Sequence, residues 1–358
     1  MRDGGLPPDG SAGAHADVDP VSLTRSLVDI DSTTGREAEA GAWLADWLQQ
    51  RGYHVARQPV ADGRFNVYAT LGVSPQLVFS THVDCVPPFF PSRVERGLLF
   101  GRGACDAKGI LAAQLAAAER LRAAGERRFG LLFVVGEERG SDGARTANEQ
   151  APPGVRYLVN GEPTDNRLGA ATRGALRIRL RAHGRAAHSS FPELGESAID
   201  KLLDALMVIR GVALPADSLL GRTHYTVGLI EGGVAPNVVS PSAAAELLFR
   251  VVGNGATVRE ALRVVEPLVS VDTILDIPAM RMHTIAGFET AIFPYTTDVP
   301  LLTRWGTPLL VGPGSIHLAH TDEEHVSIDE LHQAVDLYGA LAVRLLGSST
   351  NPGGVTRF

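Results

Sequence analysis

The sequence predicts an α/β fold in which helices flank a mixed, mainly parallel central sheet, with a smaller α+β domain inserted into it. Three observations indicate this fold. Short continuous apolar segments such as residues 129–135 are typical of strands buried on both faces, as in parallel sheets. Segments with helical apolar spacing separate these strands. Near residue 174 the pattern changes, and apolar residues alternate with arginines over 175–182, as in a half-exposed strand.

The first α/β part begins with helical periodicity over residues 21–52, which a turn-like stretch at 31–35 interrupts. Gly52 ends the second helix, because glycine commonly follows the last helical residue. The other elements predicted here are strands at 65–71, 76–80, 129–135 and 157–159 and an Ala/Leu-rich helix at 110–124.

The inserted part has the predicted order β-α-β-β-α-β, which resembles a ferredoxin-like unit. Its elements are strands at 175–182, 224–230, 244–252 and 273–277 and helices at 197–209 and 257–266. A buried strand at 308–311 and an amphipathic helix at 328–346 then resume the first pattern. We therefore predict one domain from residues 20–173 and 285–358, and an inserted domain from residues 174–284.

The composition narrows the class of protein. The 358 residues are 44% hydrophobic and 20% charged, and the formal net charge of −7 argues against nucleic acid or an anionic membrane as a partner. No apolar run is long enough to span a bilayer, and residues 1–19 lack the apolar core of a signal peptide. Two cysteines are fewer than a disulfide-stapled secreted protein would carry. We expect a disordered leader at 1–19 and a cytoplasmic location.

Side chains that commonly bind metals follow the predicted buried strands. His82, Glu138, Glu162 and His320 each come after such a strand, and Asp106 precedes a helix. In open α/β sheets the ligand crevice lies at the carboxyl ends of the strands. Carboxylates beside buried strands are costly unless they are paired or bound to metal. We therefore expect these five residues to meet at one edge of the sheet.

Imidazoles and carboxylates together are the ligand set of zinc and its neighbours, and two ions about 3.5–4 Å apart fit if one carboxylate bridges them. Asp84 lies two residues after His82, on the same strand face, and is placed to accept the other ring N–H of His82. The adjacent Glu137 and Glu138 point apart, so one can bind metal while the other stays free as a general base. Zinc, cobalt and manganese all tolerate such ligands.

Each of these residues taken alone has a structural interpretation. A lone histidine is usually a surface or core residue, and a Glu-Glu pair is usually solvated. Cys85 and Cys105 lack Cys-x-x-Cys spacing, so we interpret them as small buried residues, and we interpret His317 and His325 as exposed loop residues. The sequence contains neither a Gly-x-Ser-x-Gly motif nor a His-Glu-x-x-His motif.

Several segments together resemble the co-catalytic zinc peptidase and deacylase family. This family includes acetylornithine deacetylase, succinyl-diaminopimelate desuccinylase, the hydrolase that frees lysine from its carrier protein, and glutamate carboxypeptidase. The segments follow the family's order over about residues 21–347 and are HVDCVP (82–87), GRGACDAKG (101–109), GEE (136–138), GEP (161–163) and GPGSI (312–316), with His320 beyond. The resemblance implies a zinc-exopeptidase fold in which the inserted domain is a lid and dimerisation domain.

The resemblance also implies roles for these residues. Two divalent ions, with zinc as the first choice, would be held by one group comprising His82, Asp106 and Glu162 and a second comprising Asp106, Glu138 and His320. Asp106 would bridge the ions, and the peptide bond from Asp106 to Ala107 would be cis. Glu137 would be the general base, which takes a proton from the attacking water and then gives it to the leaving amine.

The inserted domain and the loop at 312–316 carry further expected site residues by the same resemblance. His188, in the segment GRAAHSS (184–190), would stabilise the oxyanion, often in the partner subunit's site. Asn237 and Arg250 would hold the substrate's carboxylate, a task that suits the fork of an arginine. Gly314 and Ser315 are further candidate substrate-binding residues.

These expectations define a metal-dependent amidohydrolase. Our main hypothesis is that it removes the acyl group of an N-acyl amino acid, as acetylornithine deacetylase does in amino-acid biosynthesis. One alternative is a dipeptidase or carboxypeptidase with the same two-metal site. Another is a non-catalytic binding protein that kept the fold. We also expect a homodimer formed through the inserted domain.

Overall fold

The computed structural model describes residues 18–347. The predicted leader at 1–19 lies outside the described residues, apart from Val18 and Asp19. The side chain of Asp19 caps the first helix by accepting from the backbone N–H groups of Val21 and Ser22. The helices are α1 (Pro20–Val28), α2 (Ala38–Gln50), α3 (Gly109–Ala123), α4 (Asp142–Glu149), α5 (Ala198–Gly211), α6 (Gly255–Leu262) and α7 (Ile328–Gly347).

The strands divide into one large central sheet and smaller ones. They are β1 (His54–Pro59), β2 (Phe65–Thr70), β3 (Leu77–His82), β4 (Arg93–Glu95), β5 (Leu98–Phe100), β6 (Phe129–Val134), β7 (Tyr157–Asn160), β8 (Leu168–Thr172), β9 (Gly174–His183), β10 (Ala216–Asp217), β11 (Gly221–Arg222), β12 (His224–Gly232), β13 (Ser242–Val251), β14 (Ser270–Ile277), β15 (Met280–Arg281), β16 (Thr290–Phe293), β17 (Thr307–Leu310) and β18 (His325–Ser327).

The central sheet has the strand order β1-β2-β6-β3-β7-β17. The four strands from β6 to β17 are mutually parallel, whereas β2 runs antiparallel to both of its neighbours. Strands β3, β6 and β7 are buried along their whole length, as their continuous apolar sequences predict. Helices α2, α3 and α7 supply buried side chains to the same core. The predicted mixed, mainly parallel sheet is therefore confirmed.

The inserted sheet is antiparallel, with the order β12-β13-β9-β14. Along the chain its elements follow the predicted order β-α-β-β-α-β. Its apolar face packs against α5 and α6 through residues such as Leu176, Phe249, Leu202 and Val258. The ferredoxin-like arrangement is confirmed, while the exact boundaries at 174 and 284 stay a prediction.

The sequence missed several short or polar elements. Strands β1, β4, β5, β8, β10, β11, β15, β16 and β18 and helix α4 were not predicted, because they are short or lack a continuous apolar run. The helix predicted over 257–266 ends at Leu262 and continues as a 3₁₀ turn, Arg263–Val265. His325 lies half-buried in β18 and packs against Phe100, so its interpretation as an exposed loop residue was wrong.

Within residues 18–347, no helix combines the length and the apolar character needed to cross a membrane.

Candidate metal centre

The five predicted ligands meet at the carboxyl edge of the central sheet. In each of two groups, one potential ligand atom per residue lies within 4.8 Å of the others. The groups are His82, Asp106 and Glu162, and Asp106, Glu138 and His320. They match the two ligand groups that the family resemblance implied. The parallel strands explain the meeting, because β3, β6 and β7 all end at this edge.

Asp106 is common to both groups and presents one oxygen to each. Its Oδ1 lies 3.0 Å from His82 Nε2, and its Oδ2 lies 3.4 Å from His320 Nε2. Glu138 Oε1 lies 2.9 Å from the same His320 nitrogen. The peptide bond from Asp106 to Ala107 is cis. The geometry fits a carboxylate that bridges two cations.

The electrostatics of the cluster also fit bound cations. Burial raises the pKa of Glu162 well above its usual value, and the nearby Asp106 and Glu138 raise it further, although His82 opposes this. Glu162 Oε1 is buried and has no hydrogen-bond partner within residues 18–347. A buried, unpartnered carboxylate oxygen is costly unless a cation satisfies it. The donor set of carboxylate oxygens and imidazole nitrogens suits zinc and related divalent ions.

His82 is oriented through its second ring nitrogen. Nδ1 lies 2.9 Å from the backbone carbonyl oxygen of Asp84 and 3.5 Å from the carboxylate of Asp84. The expected carboxylate contact is therefore the longer of the two. The Asp84 carboxylate instead accepts hydrogen bonds from Thr34 Oγ1 and from the backbone N–H groups of Glu137 and Glu138. Asp84 thus connects β3 to the turn that carries both glutamates.

Glu137 lies beside the cluster and belongs to neither ligand group. It begins the 3₁₀ turn Glu137–Arg139, which follows β6 after two intervening residues, and it lines a cleft next to the cluster. Burial raises its pKa well above the usual value, and the nearby Glu162 adds to the rise. A raised pKa brings a carboxylate closer to the range in which it can both accept and donate a proton near neutral pH.

A buried ion pair that the sequence did not indicate supports the Asp106 turn. Arg102 Nη1 lies 2.7 Å from Glu324 Oε2, and both side chains are only 1% exposed. Glu324 Oε1 accepts from the backbone N–H groups of Cys105 and Asp106. Glu324 ends the acidic run 322–324, which by itself resembles a solvated surface. Only the fold shows that this residue is a positioning residue for Asp106.

The remaining predicted residues lie outside the two ligand groups. His188 and Asn237 are exposed in the inserted domain, where His188 Nδ1 accepts from the backbone N–H of Ser190. Gly314 is buried with a positive φ, and a Cβ on it would lie 2.6 Å from Cys105 Sγ, so a larger residue would be strained and would clash with the Cys105 side chain. Ser315 is half-buried and forms a bridge with Thr164.

The metal-free protein should lose stability as the pH rises from about 6.5 to about 10. Contacts with Asp106 and Glu138 raise the pKa of His320 to about 10, and the pKa values of Glu137 and Glu162 are also raised. His320 stabilises the fold below its unfolded pKa and loses that effect as the pH rises through its folded pKa, while the buried glutamates destabilise the fold once they ionise.

Thermal unfolding of chelator-treated protein across this range is the measurement. A divalent cation should raise the Tm more at the alkaline end, because it replaces the protons that the cluster otherwise needs. A metal-free Tm that holds constant or increases with pH would contradict the prediction.

A sheet edge that gathers two imidazoles and several carboxylates around a shared aspartate, with a free glutamate beside them, is typical of metal-dependent hydrolases. Comparison with known proteins agrees with this class. The chain belongs to peptidase family M20/M25/M40, whose sequence profile matches residues 78–344. It is a metallo-hydrolase that acts on linear amide or peptide bonds. The predicted membership of a co-catalytic peptidase and deacylase family is thereby confirmed.

Individual relatives show the same fold and family. A protein of Neosartorya fischeri that carries the name "probable carboxypeptidase" is 36% identical, over 92% of this chain and 87% of its own length. The structure of an aminopeptidase from Bacillus cereus superposes with a TM-score of 0.75 at 21% identity, covering 92% of this chain and 98% of that one. A dinuclear metal-binding M20 peptidase from Bacillus subtilis superposes with a TM-score of 0.70 at 16% identity, with coverage of 92% and 98%.

Proposed function

We propose that this protein is a metallo-carboxypeptidase or dipeptidase, which hydrolyses the amide bond before a residue with a free α-carboxylate. One observation carries the proposal. Arg250 lines the same cleft as Glu137 and Glu138, and it is half-buried. Among the described residues no acidic side chain pairs with Arg250, and its Nη1 donates only a long hydrogen bond, 3.4 Å, to Thr296 Oγ1.

A partly buried guanidinium without a counter-ion is a favourable place for a substrate carboxylate. Burial lowers the pKa of Arg250, which reflects the cost of keeping its charge away from water. A bidentate carboxylate would offset that cost. Because Arg250 and Glu137 line one cleft, a substrate held at its carboxylate would present its last amide bond toward the glutamate.

The proposed roles of the other residues follow from their positions. His82, Asp106, Glu138, Glu162 and His320 would hold two divalent ions, zinc being our first choice and cobalt or manganese the alternatives. Such ions, when bound, supply Lewis acidity that acidifies water and polarises the scissile carbonyl. Glu137 would take the proton from the attacking water and deliver it to the leaving nitrogen. Asp84 would keep the turn at Glu137 in place, because its carboxylate accepts hydrogen bonds from two backbone N–H groups of that turn.

The expectation of an acetylornithine deacetylase stays a prediction within this proposal. N-acyl amino acids and peptides share the carboxylate that Arg250 would bind, so the site chemistry alone accepts both. The names of the relatives favour peptides, since the Neosartorya fischeri protein is named a carboxypeptidase and a structural neighbour is human carnosine dipeptidase 1.

A substrate panel tests the proposal directly. Metal-loaded protein would be given N-blocked dipeptides, free dipeptides, acetylornithine and other acyl amino acids, with release of amine as the readout. Each N-blocked dipeptide would be paired with its C-terminal amide. We expect the free acids to be cleaved and the amides to be poor substrates, with Arg250→Met raising KM for the acids about tenfold or more. Cleavage of acyl amino acids alone would favour the deacetylase, and equal cleavage of acid and amide would refute the role of Arg250.

We also propose that two copies associate through the inserted domain. Strand β12 is an edge of its sheet and is exposed over most of its length, with Leu229 61% and Ile230 58% exposed. Leu203 and Met207 on α5 extend this apolar surface, and α5 and β12 together line a shallow groove. An exposed apolar edge strand favours pairing with another strand, and a second copy offers the same strand.

Replacing Leu229 and Met207 together by Glu should shift the protein from dimer to monomer, because each charge would enter an apolar contact. Sedimentation equilibrium is the measurement. Val343→Glu, at an apolar residue of α7 that is 68% exposed, is the matched control and should leave the mass unchanged. A monomeric wild-type protein would contradict the proposal. If His188 and Asn237 complete the partner's site, chains with His188→Ala mixed with chains with Glu137→Ala should regain activity.

A further inference from the structure

The cleft beside the candidate metal centre is lined by four arginines, of which the proposed chemistry uses only Arg250. It has a volume of about 750 Å³, and its lining includes Arg139, Arg145, Arg177 and Arg250. The acidic residues that line it are Glu137 and Glu138, which belong to the catalytic turn. This local excess of positive charge contrasts with the net charge of −7 over the whole chain.

The arginines differ in whether the protein neutralises them. Arg177 donates to Glu246 across the inserted sheet, with Nε 2.9 Å from the carboxylate. For Arg139 and Arg145, as for Arg250, the described part of the chain provides no ion pair with an acidic side chain. If Arg250 binds the α-carboxylate of the substrate, Arg139 and Arg145 still lack an anion.

These two arginines are held close to the reacting groups by short elements. Arg139 immediately follows Glu138 and closes the 3₁₀ turn Glu137–Arg139. Arg145 lies on α4, which begins three residues later at Asp142. Both therefore belong to the wall of the cleft that carries the proposed general base.

The opposite wall comes from the inserted sheet. Its residues Ala175, Arg177, Leu248 and Arg250 lie on the sheet face that is turned away from α5 and α6. Aliphatic side chains, including Ile274 and Leu275, line this wall together with the guanidinium groups. A short extended peptide would thus meet apolar surface and positive charge together.

We propose that Arg139 and Arg145 form a second anion-binding subsite. The preferred substrate would then carry an acidic side chain on a residue that flanks the scissile bond. This inference rests on the proposed function, since it assigns the α-carboxylate to Arg250. Both arginines are exposed, so solvent and salt weaken each contact. We therefore expect a preference of about tenfold in kcat/KM for Glu over Gln, and for Asp over Asn, at low ionic strength.

The experiment measures kcat/KM of the metal-loaded full chain for matched pairs of substrates. N-blocked dipeptides with Glu or Gln on either side of the scissile bond would be compared, together with acetyl-Glu and acetyl-Gln. In the double variant Arg139→Gln/Arg145→Gln, the ratio of kcat/KM for the acidic substrate to kcat/KM for its amide counterpart should fall to near one. The matched control is Arg344→Gln, which removes one exposed arginine of α7 outside this cleft and should leave the ratio unchanged.

The outcomes separate the subsite from the proposed function. If the wild type cleaves peptides but its kcat/KM is about the same for Glu and Gln substrates, the subsite proposal is wrong and the carboxypeptidase proposal stands. If the wild type cleaves only acyl amino acids, with a much higher kcat/KM for acetyl-Glu than for acetyl-Gln, the subsite proposal is supported and the carboxypeptidase proposal is wrong. Calorimetric binding of the same pairs to the Glu137→Gln variant gives the ratio without turnover, and a ratio near one there also overturns the subsite.

Discussion

Replacing Glu137 by Gln should lower kcat by about 100- to 10,000-fold while the protein keeps its metal and its fold. Gln preserves the size of the side chain but cannot take a proton from water at neutral pH. Because Glu137 belongs to neither ligand group, its loss should not release an ion. Steady-state kinetics on the best substrate of the panel, with metal content measured on the same preparation, is the test.

The neighbouring glutamate provides the control. Glu138 is adjacent in sequence, sits in the same turn and contacts His320, and its carboxylate belongs to the second ligand group. Glu138→Gln should therefore reduce the metal content together with the activity. If Glu137→Gln retained wild-type turnover, or if it lost metal as Glu138→Gln does, the assignment of Glu137 as the base would be wrong.

Replacing Arg102 by Met should destabilise the protein by about 3–5 kcal/mol, because it leaves the carboxylate of Glu324 buried without its counter-ion. Glu324 also accepts from the backbone of Cys105 and Asp106, so the metal affinity should fall with the stability. Urea unfolding at neutral pH measures the first effect, and metal titration measures the second.

A neighbouring ion pair gives the matched control for Arg102. Arg93 pairs with Glu323 at 3.1 Å, but these side chains are 49% and 73% exposed. Arg93→Met should therefore cost at most about 1 kcal/mol, since water solvates the remaining carboxylate. Adding Glu324→Gln to Arg102→Met should recover part of the loss, because the buried charge is then removed. Equal losses from the Arg102 and Arg93 variants would show that burial of the pair is unimportant.

The sequence predicted an element correctly where its local hydrophobic pattern reflects its place in the fold. Buried parallel strands need continuous apolar runs, so β3, β6 and β7 were recognisable, and the residues that follow them were predicted to share one edge. The ligand groups around His82, Asp106 and His320 were thereby anticipated, and the family resemblance supplied their division into two. Edge strands such as β1, whose sequence is largely polar, and β16, which has only four residues, carry no comparable signal and were missed.

By itself, then, the sequence determined the fold class and the family, and it predicted the five ligand-type residues that meet at one sheet edge, because hydrophobic periodicity and motif order are local properties of the chain. Only the tertiary structure decided which contacts support them. The Asp84 carboxylate accepts two of its hydrogen bonds from the turn at Glu137. Glu324 is buried against Arg102, although these two residues are far apart in sequence. The cleft arginines that pair with no acidic side chain of the described residues likewise became visible only in three dimensions, since charge balance depends on which residues the fold brings together.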